Sequence, residues 1–204
     1  MNNSMDNNIL NKIYNSYIIV NEMLNDRGFQ TKNVLDLVNF NKQIEKNFND
    51  IYYKNKDECI YVFIFKENKI QKKNIIEYVD NIYKSNKVKK YGILFLLFDK
   101  QVLVYKKELS DKYDIDIEVF IINNLQINIS KHEYQPEFFL LNNDEKQELL
   151  EKYSKENLPK IKFDDPINQY YNGKIDDIYK IIRNNMIGRN RTSGQGIYYR
   201  IVVK

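Results

Sequence analysis

Two short apolar runs constrain this chain more than anything else in it. Residues 60–65 (IYVFIF) and 92–98 (GILFLLF) carry no charge, are rich in β-branched and aromatic side chains, and are bounded by polar stretches. Runs of that length and composition read as buried strands rather than helices. Strands without a polar face need cover, and the sequence around them supplies helical patterns. Ile9, Ile13, Tyr17, Val20 and Leu24 recur at helical spacing, and the pattern stops at Asp26-Arg27-Gly28, where Gly suits the left-handed position past a helix end. A weaker helical stretch runs through Leu37, Phe40, Ile44 and Phe48, and another through Ile75, Val79, Ile82 and Tyr83. Ile115, Ile117, Val119 and Ile121 then alternate strictly, as in a strand. The order helix, helix, strand, helix, strand, strand predicts an α/β layer domain over residues 1–130.

Residues 131–204 read differently. After an extended segment, 132–141, Asn142 with Glu145 three residues on has the form of a capping box, and Leu149 and Leu150 give the helix that follows its apolar face. Asp165-Pro166 starts a second short helix, because the Asp side chain accepts from free N–H groups and Pro at the first helical position loses no bond. Residues 178–183 and 196–203 are strand-like and joined by a long loop, which predicts a β-hairpin. In the latter strand Ile197, Tyr199, Ile201 and Val203 share one face, and Tyr198, Arg200 and Val202 the other. This is an α+β domain.

Composition removes several classes of function. One cysteine, Cys59, and one histidine, His132, cannot build an internal disulfide or the usual structural zinc site. The longest apolar run falls far short of a membrane span, and the N-terminus lacks a signal-peptide layout, so a soluble intracellular protein with no membrane partner is expected. With 32 Lys+Arg against 28 Asp+Glu, the net charge of +4 permits contact with nucleic acid without demanding it. Ala and Trp are absent while Asn, Ile, Lys and Tyr abound, a bias that points to AT-rich coding.

Candidate chemistry is sparse. Cys59 and His132 fall in different predicted domains, so a nucleophile–base pair is not expected. Asp164-Asp165 and Asp176-Asp177 could hold a metal, but a helix cap and a turn explain them better. The loop GRNRTSGQG (188–196) lacks the Gly-Lys-Ser/Thr ending of a phosphate-binding loop and joins two strands, which leaves no helix N-terminus for a phosphate. The one enzymatic alternative is a metal-dependent nuclease of the restriction-enzyme type, with Glu67-Asn68-Lys69 after a buried strand and Asp57 as an upstream acid.

The last seventy positions resemble a known family. His132-Glu133 with Pro136-Glu137, the stretch DEKQELLEKY (144–153), Leu158-Pro159-Lys160-Ile161, Asp165-Pro166, Tyr179-Lys180-Ile181-Ile182-Arg183 and the closing Tyr198-Tyr199-Arg200-Ile201-Val202-Val203 follow one another as in the small RNA polymerase subunit called H in archaea and in the fifth shared subunit of eukaryotes. YIIVNEMLNDRGF (17–29) is similar to the opening helix of the eukaryotic form. This chain departs from the family pattern at Phe138, where a second His is usual, at Asp176, where a turn Gly is usual, and in the longer loop 184–195.

The resemblance implies a non-catalytic subunit of a multisubunit DNA-directed RNA polymerase. The first domain would be a jaw with an inactive restriction-endonuclease-like fold near downstream double-stranded DNA. The second would be an assembly domain docked on the largest subunit and near other small subunits. No cofactor or metal is implied. The divergence and the AT-biased coding resemble a polymerase of a large DNA virus, hence virion and host cytoplasm, or the nucleus if cellular. On this reading Tyr198, Arg200, Val202 and Arg183 are the expected contacts with the largest subunit, and Lys100, Lys106 and Lys107 the expected weak, sequence-independent contacts with DNA.

Overall fold

The computed structural model describes residues 7–31, 33–44, 48–66, 70–85, 90–98, 100, 102–184 and 195–204. The chain divides into two compact units, Met1–Ile127 and Asn128–Lys204.

In the first unit, helix α1 (Asn7–Asp26) buries Ile13, Tyr17, Val20 and Leu24 of the residues whose spacing predicted it, with Leu10 buried in place of the half-buried Ile9. It ends as expected at Gly28, whose φ of +83° only Gly adopts without strain. The Phe29 N–H donates to the Leu24 carbonyl and the Gly28 N–H to the Asn25 carbonyl, both at 2.9 Å, which satisfies two carbonyls of the last turn. Helix α2 (Leu37–Ile44) follows, starting at Asp36, whose carboxylate accepts from the Asn39 N–H at 2.8 Å. Then come β1 (Phe48–Tyr53), β2 (Glu58–Ile64), α3 (Lys72–Ser85), β3 (Lys90–Leu97), α4 (Val102–Tyr113) and β4 (Asp116–Ile121).

The sheet order is β1-β2-β3-β4, with the first pair antiparallel and the other two parallel. Phe63, Phe95, Ile93 and Ile117 face α3 and α4, where Ile75, Val79, Leu109 and Tyr113 complete one apolar core. The opposite face meets α1, through a Tyr52 hydroxyl that donates to Asn21 at 3.1 Å and an ion pair between Arg27 and Glu118. Helices therefore cover both faces, as the uninterrupted apolar strands require.

Two elements go beyond the sequence expectation. Strand β1 carries Asn49 and Asp50, poor strand formers, and α4 buries only Leu109 and Tyr113 among its described side chains. The reading that left β3 and β4 directly connected is corrected by their parallel pairing, since a parallel pair needs a crossover and α4 is that crossover.

The second unit holds β5 (Glu137–Leu140), α5 (Asn143–Lys152), β6 (Lys160–Lys162), α6 (Pro166–Tyr171), β7 (Ile178–Asn184) and β8 (Gln195–Val203), with sheet order β5-β7-β8-β6. The capping box forms as read: Asn142 accepts from the Glu145 N–H at 3.0 Å and Glu145 from the Asn142 N–H at 2.9 Å. Asp165 caps α6 through the Ile167 N–H at 2.9 Å. On one sheet face Leu149 and Leu158 pack against Ile178 and Ile201. On the other the Tyr179 hydroxyl donates to the buried Asn168 side chain at 2.9 Å, and Phe138 meets the Tyr179 ring edge-on. β7 and β8 pair antiparallel as the expected hairpin.

Candidate docking surface and candidate DNA-contacting lysines

The four residues expected to meet a partner do not form one surface. Tyr198 is 49% exposed, and the Arg183 guanidinium lies 5.5 Å from the centre of its ring. Gly196 makes this possible, since a Cβ there would stand 2.8 Å from Tyr198 Cε2. Tyr198 folds back over Gly196 and carries Arg183 on top, a cation over an aromatic face.

Val202 has to be withdrawn from that surface. It is fully buried, because β6 pairs with the last residues of β8 (Ile161 opposite Val202) and the sheet is covered on both faces at this end. The edge of β8 away from β7 is likewise occupied there by β6. Arg200 is half-buried beside Tyr179, its cross-strand partner. Glu148 lies on α5, which packs on the opposite face through Leu149, and bonds Lys152 at 2.6 Å.

A feature the sequence reading passed over lies on that opposite face. Glu137, Ile182 and Ile197 stand in one row across β5, β7 and β8, and Phe139, Lys180 and Tyr199 in the next. Phe139 is 47% and Ile197 54% exposed, so apolar surface extends across three strands past the end of the helix-covered core. The alternation of β8 placed Ile197 and Tyr199 together, but the β5 register that completes the rows is a long-range pairing.

The three lysines also differ among themselves. Lys100 is exposed in the turn before α4 and Lys107 is exposed on that helix, whereas Lys106 is half-buried. The next residue, Glu108, bonds Lys72 of α3 at 2.8 Å, so the patch is not uniformly basic.

Asp57 precedes β2, and Lys66 follows its end. The seven-residue strand β2, at about 3.3 Å per residue, holds Asp57 and Lys66 roughly 20 Å apart at its two ends. Glu67-Asn68-Lys69 itself lies outside the described residues, as does most of the 188–196 loop. Among the described residues no three His, Cys, Asp or Glu side chains gather as a metal site. Cys59 is buried, and that burial pushes its thiol pKa up, away from reactivity. Asp177 accepts from the Lys174 N–H at 2.8 Å, and Asp176 pairs with Lys155 at 2.8 Å.

Comparison with known proteins decides the family. Residues 127–202 match the family described as RNA polymerase Rpb5, C-terminal domain. The subunit rpabc1 of DNA-directed RNA polymerases I, II and III from Dictyostelium discoideum is 33% identical over 152 residues, which is 72% of this chain and 73% of that protein. The chain belongs to the RNA polymerase subunit 5 family. Subunit 5 of the DNA-directed RNA polymerase of Acanthamoeba polyphaga mimivirus is 27% identical over 195 residues, covering 90% of this chain and 85% of that protein. The Caenorhabditis elegans RPABC1 subunit is 35% identical over 98 residues, 47% of this chain and 43% of its own length. As a subunit 5 family member the chain is a non-catalytic component of a multisubunit DNA-directed RNA polymerase and not a free-standing nuclease. No described helix is long and apolar enough to cross a membrane.

Proposed function

We propose that this subunit docks on the largest polymerase subunit through its C-terminal unit and forms part of the jaw around downstream DNA with its N-terminal unit. The observation that carries the docking half is the exposed stack of Arg183 on Tyr198 at the loop end of the hairpin. Tyr and Arg are the residue types that concentrate binding energy at interfaces, where truncation commonly costs about 2 kcal/mol or more. The jaw half rests on an α/β unit that a restriction-endonuclease-like ancestry would supply without its metal site. Any DNA contact there is electrostatic and sequence-independent, carried by the exposed Lys100 and Lys107 with Lys106 in a lesser part. The similarity to the mimivirus protein along nearly the whole chain, with the AT-biased composition, supports a large-DNA-virus polymerase working in virion and host cytoplasm.

The test is assembly. Tyr198→Ala combined with Arg183→Glu should leave the subunit folded by circular dichroism yet prevent its co-purification with the largest subunit. Normal incorporation of the folded double mutant places the docking surface elsewhere.

A further inference from the structure

The two edges of β8 are not equally used. The Val202 N–H donates to the Asp177 carbonyl on the β7 side at 2.8 Å, while the Ile201 N–H donates to the Pro159 carbonyl on the β6 side at 2.9 Å. Since backbone groups alternate along a strand, Tyr199 and Ile197 direct their N–H and C=O groups to the β6 side as well. Strand β6, however, pairs only with residues 201–203. The next bond of that parallel ladder would run from the N–H of residue 159 to the Tyr199 carbonyl, and residue 159 is proline, which has no N–H. The ladder therefore stops, and the outward donors and acceptors of Tyr199 and Ile197 meet no partner among the described residues.

This short edge has a chemical character. Ile197 is exposed on one face of the sheet and Tyr198 on the other. Half-buried Lys180 stands opposite Tyr199, half-buried Arg200 is one residue further along β8, and exposed Arg183 lies over Tyr198. Three cations surround it, and the one acid in these rows, Glu137, stands two strands away on β5. We propose that this edge receives an extended segment of another polymerase subunit as an added strand, one that presents both an apolar residue and a carboxylate on each of its two faces. Its backbone completes the bonds that Pro159 leaves open, its apolar residues cover Ile197 and Tyr198, and its carboxylates meet Lys180, Arg183 and Arg200. The proposal rests on the docking function proposed above and specifies how that docking is made.

Backbone addition leaves a signature that packing of side chains on a sheet face does not. In hydrogen exchange on the isolated full-length subunit, the amides of Ile197 and Tyr199 should exchange quickly and that of Tyr198, bonded to β7, slowly. In the assembled polymerase the Ile197 and Tyr199 amides should slow by roughly tenfold or more while Tyr198 stays slow. Ile197→Pro removes an outward donor without removing a bond to β7, so a folded Ile197→Pro subunit should lose co-purification while Ile197→Val retains it. If Ile197→Pro does not fold, the exchange comparison decides alone. Unchanged exchange at Ile197 and Tyr199 in an assembled enzyme overturns the added strand and leaves docking standing. Failure of the unmodified chain to co-purify with polymerase subunits overturns both.

Discussion

Arg27, one residue past the end of α1, closes two 2.8 Å bonds onto the two carboxylate oxygens of Glu118 in β4, ninety-one positions later in the sequence. The side chains are 6% and 8% exposed, so both charges are out of water and each depends on the other. Removing one partner of such a pair costs about 3–5 kcal/mol, because the remaining charge is left buried, whereas replacing both with apolar residues of similar volume is often neutral. Glu118→Ala should therefore lower the urea midpoint sharply, and Arg27→Met with Glu118→Leu should recover most of the loss. A Glu118→Ala protein as stable as wild type would show that water already reaches the pair.

That pair also marks what the sequence could reveal. Asp26-Arg27-Gly28 was legible as a helix end, because left-handed backbone has a local signature in Gly28. The role of Arg27 was not, since it depends on which strand lies beside β3, and that is settled only by the parallel pairing of Leu94 with Glu118. The same reason hid α4 and β1, whose stability comes from packing on a finished sheet more than from their own patterns. In the second unit the local signals were strong, with Asn142, Glu145, Asp165 and Pro166 all acting as read. Of the residues expected to meet a partner, Tyr198 and Arg183 are exposed and stacked while Val202 is buried. The burial of Val202 follows from β6, a three-residue strand too short to announce itself.

Asp176 stands at φ +73°, in left-handed backbone, where a non-Gly residue carries a penalty. Its ion pair with Lys155 is about half exposed and worth little. Asp176→Gly should raise stability by up to about 1 kcal/mol, visible as a higher midpoint in thermal denaturation. Asp176→Val should lower it, since a β-branched side chain tolerates that conformation worst.

Contact of Lys100 and Lys107 with phosphates would be screened by salt. Replacing both with Glu in the assembled enzyme should weaken retention of downstream DNA several-fold at low ionic strength and much less at high. Lys106→Glu alone should change retention little, because that side chain is half-buried. Equal loss at both salt concentrations would mean the lysines act through structure.

Gly196 offers a way to disturb the Tyr198–Arg183 stack without touching either side chain. A methyl at this position would come within 2.8 Å of Tyr198 Cε2 and 3.0 Å of its hydroxyl, so the ring must swing away and release Arg183. The backbone does not object: Gly196 has no positive φ, and it pairs with Arg183 in a regular antiparallel ladder where Ala fits as well as Gly. Gly196→Ala should therefore leave the melting temperature of the isolated subunit nearly unchanged while weakening its incorporation into polymerase about as much as Tyr198→Ala does. The two changes act on one ring, so they should not add. In a double-mutant cycle on assembly, Gly196→Ala in a Tyr198→Ala background should have almost no further effect, and full additivity would show that the folded-back ring is not the conformation the partner meets.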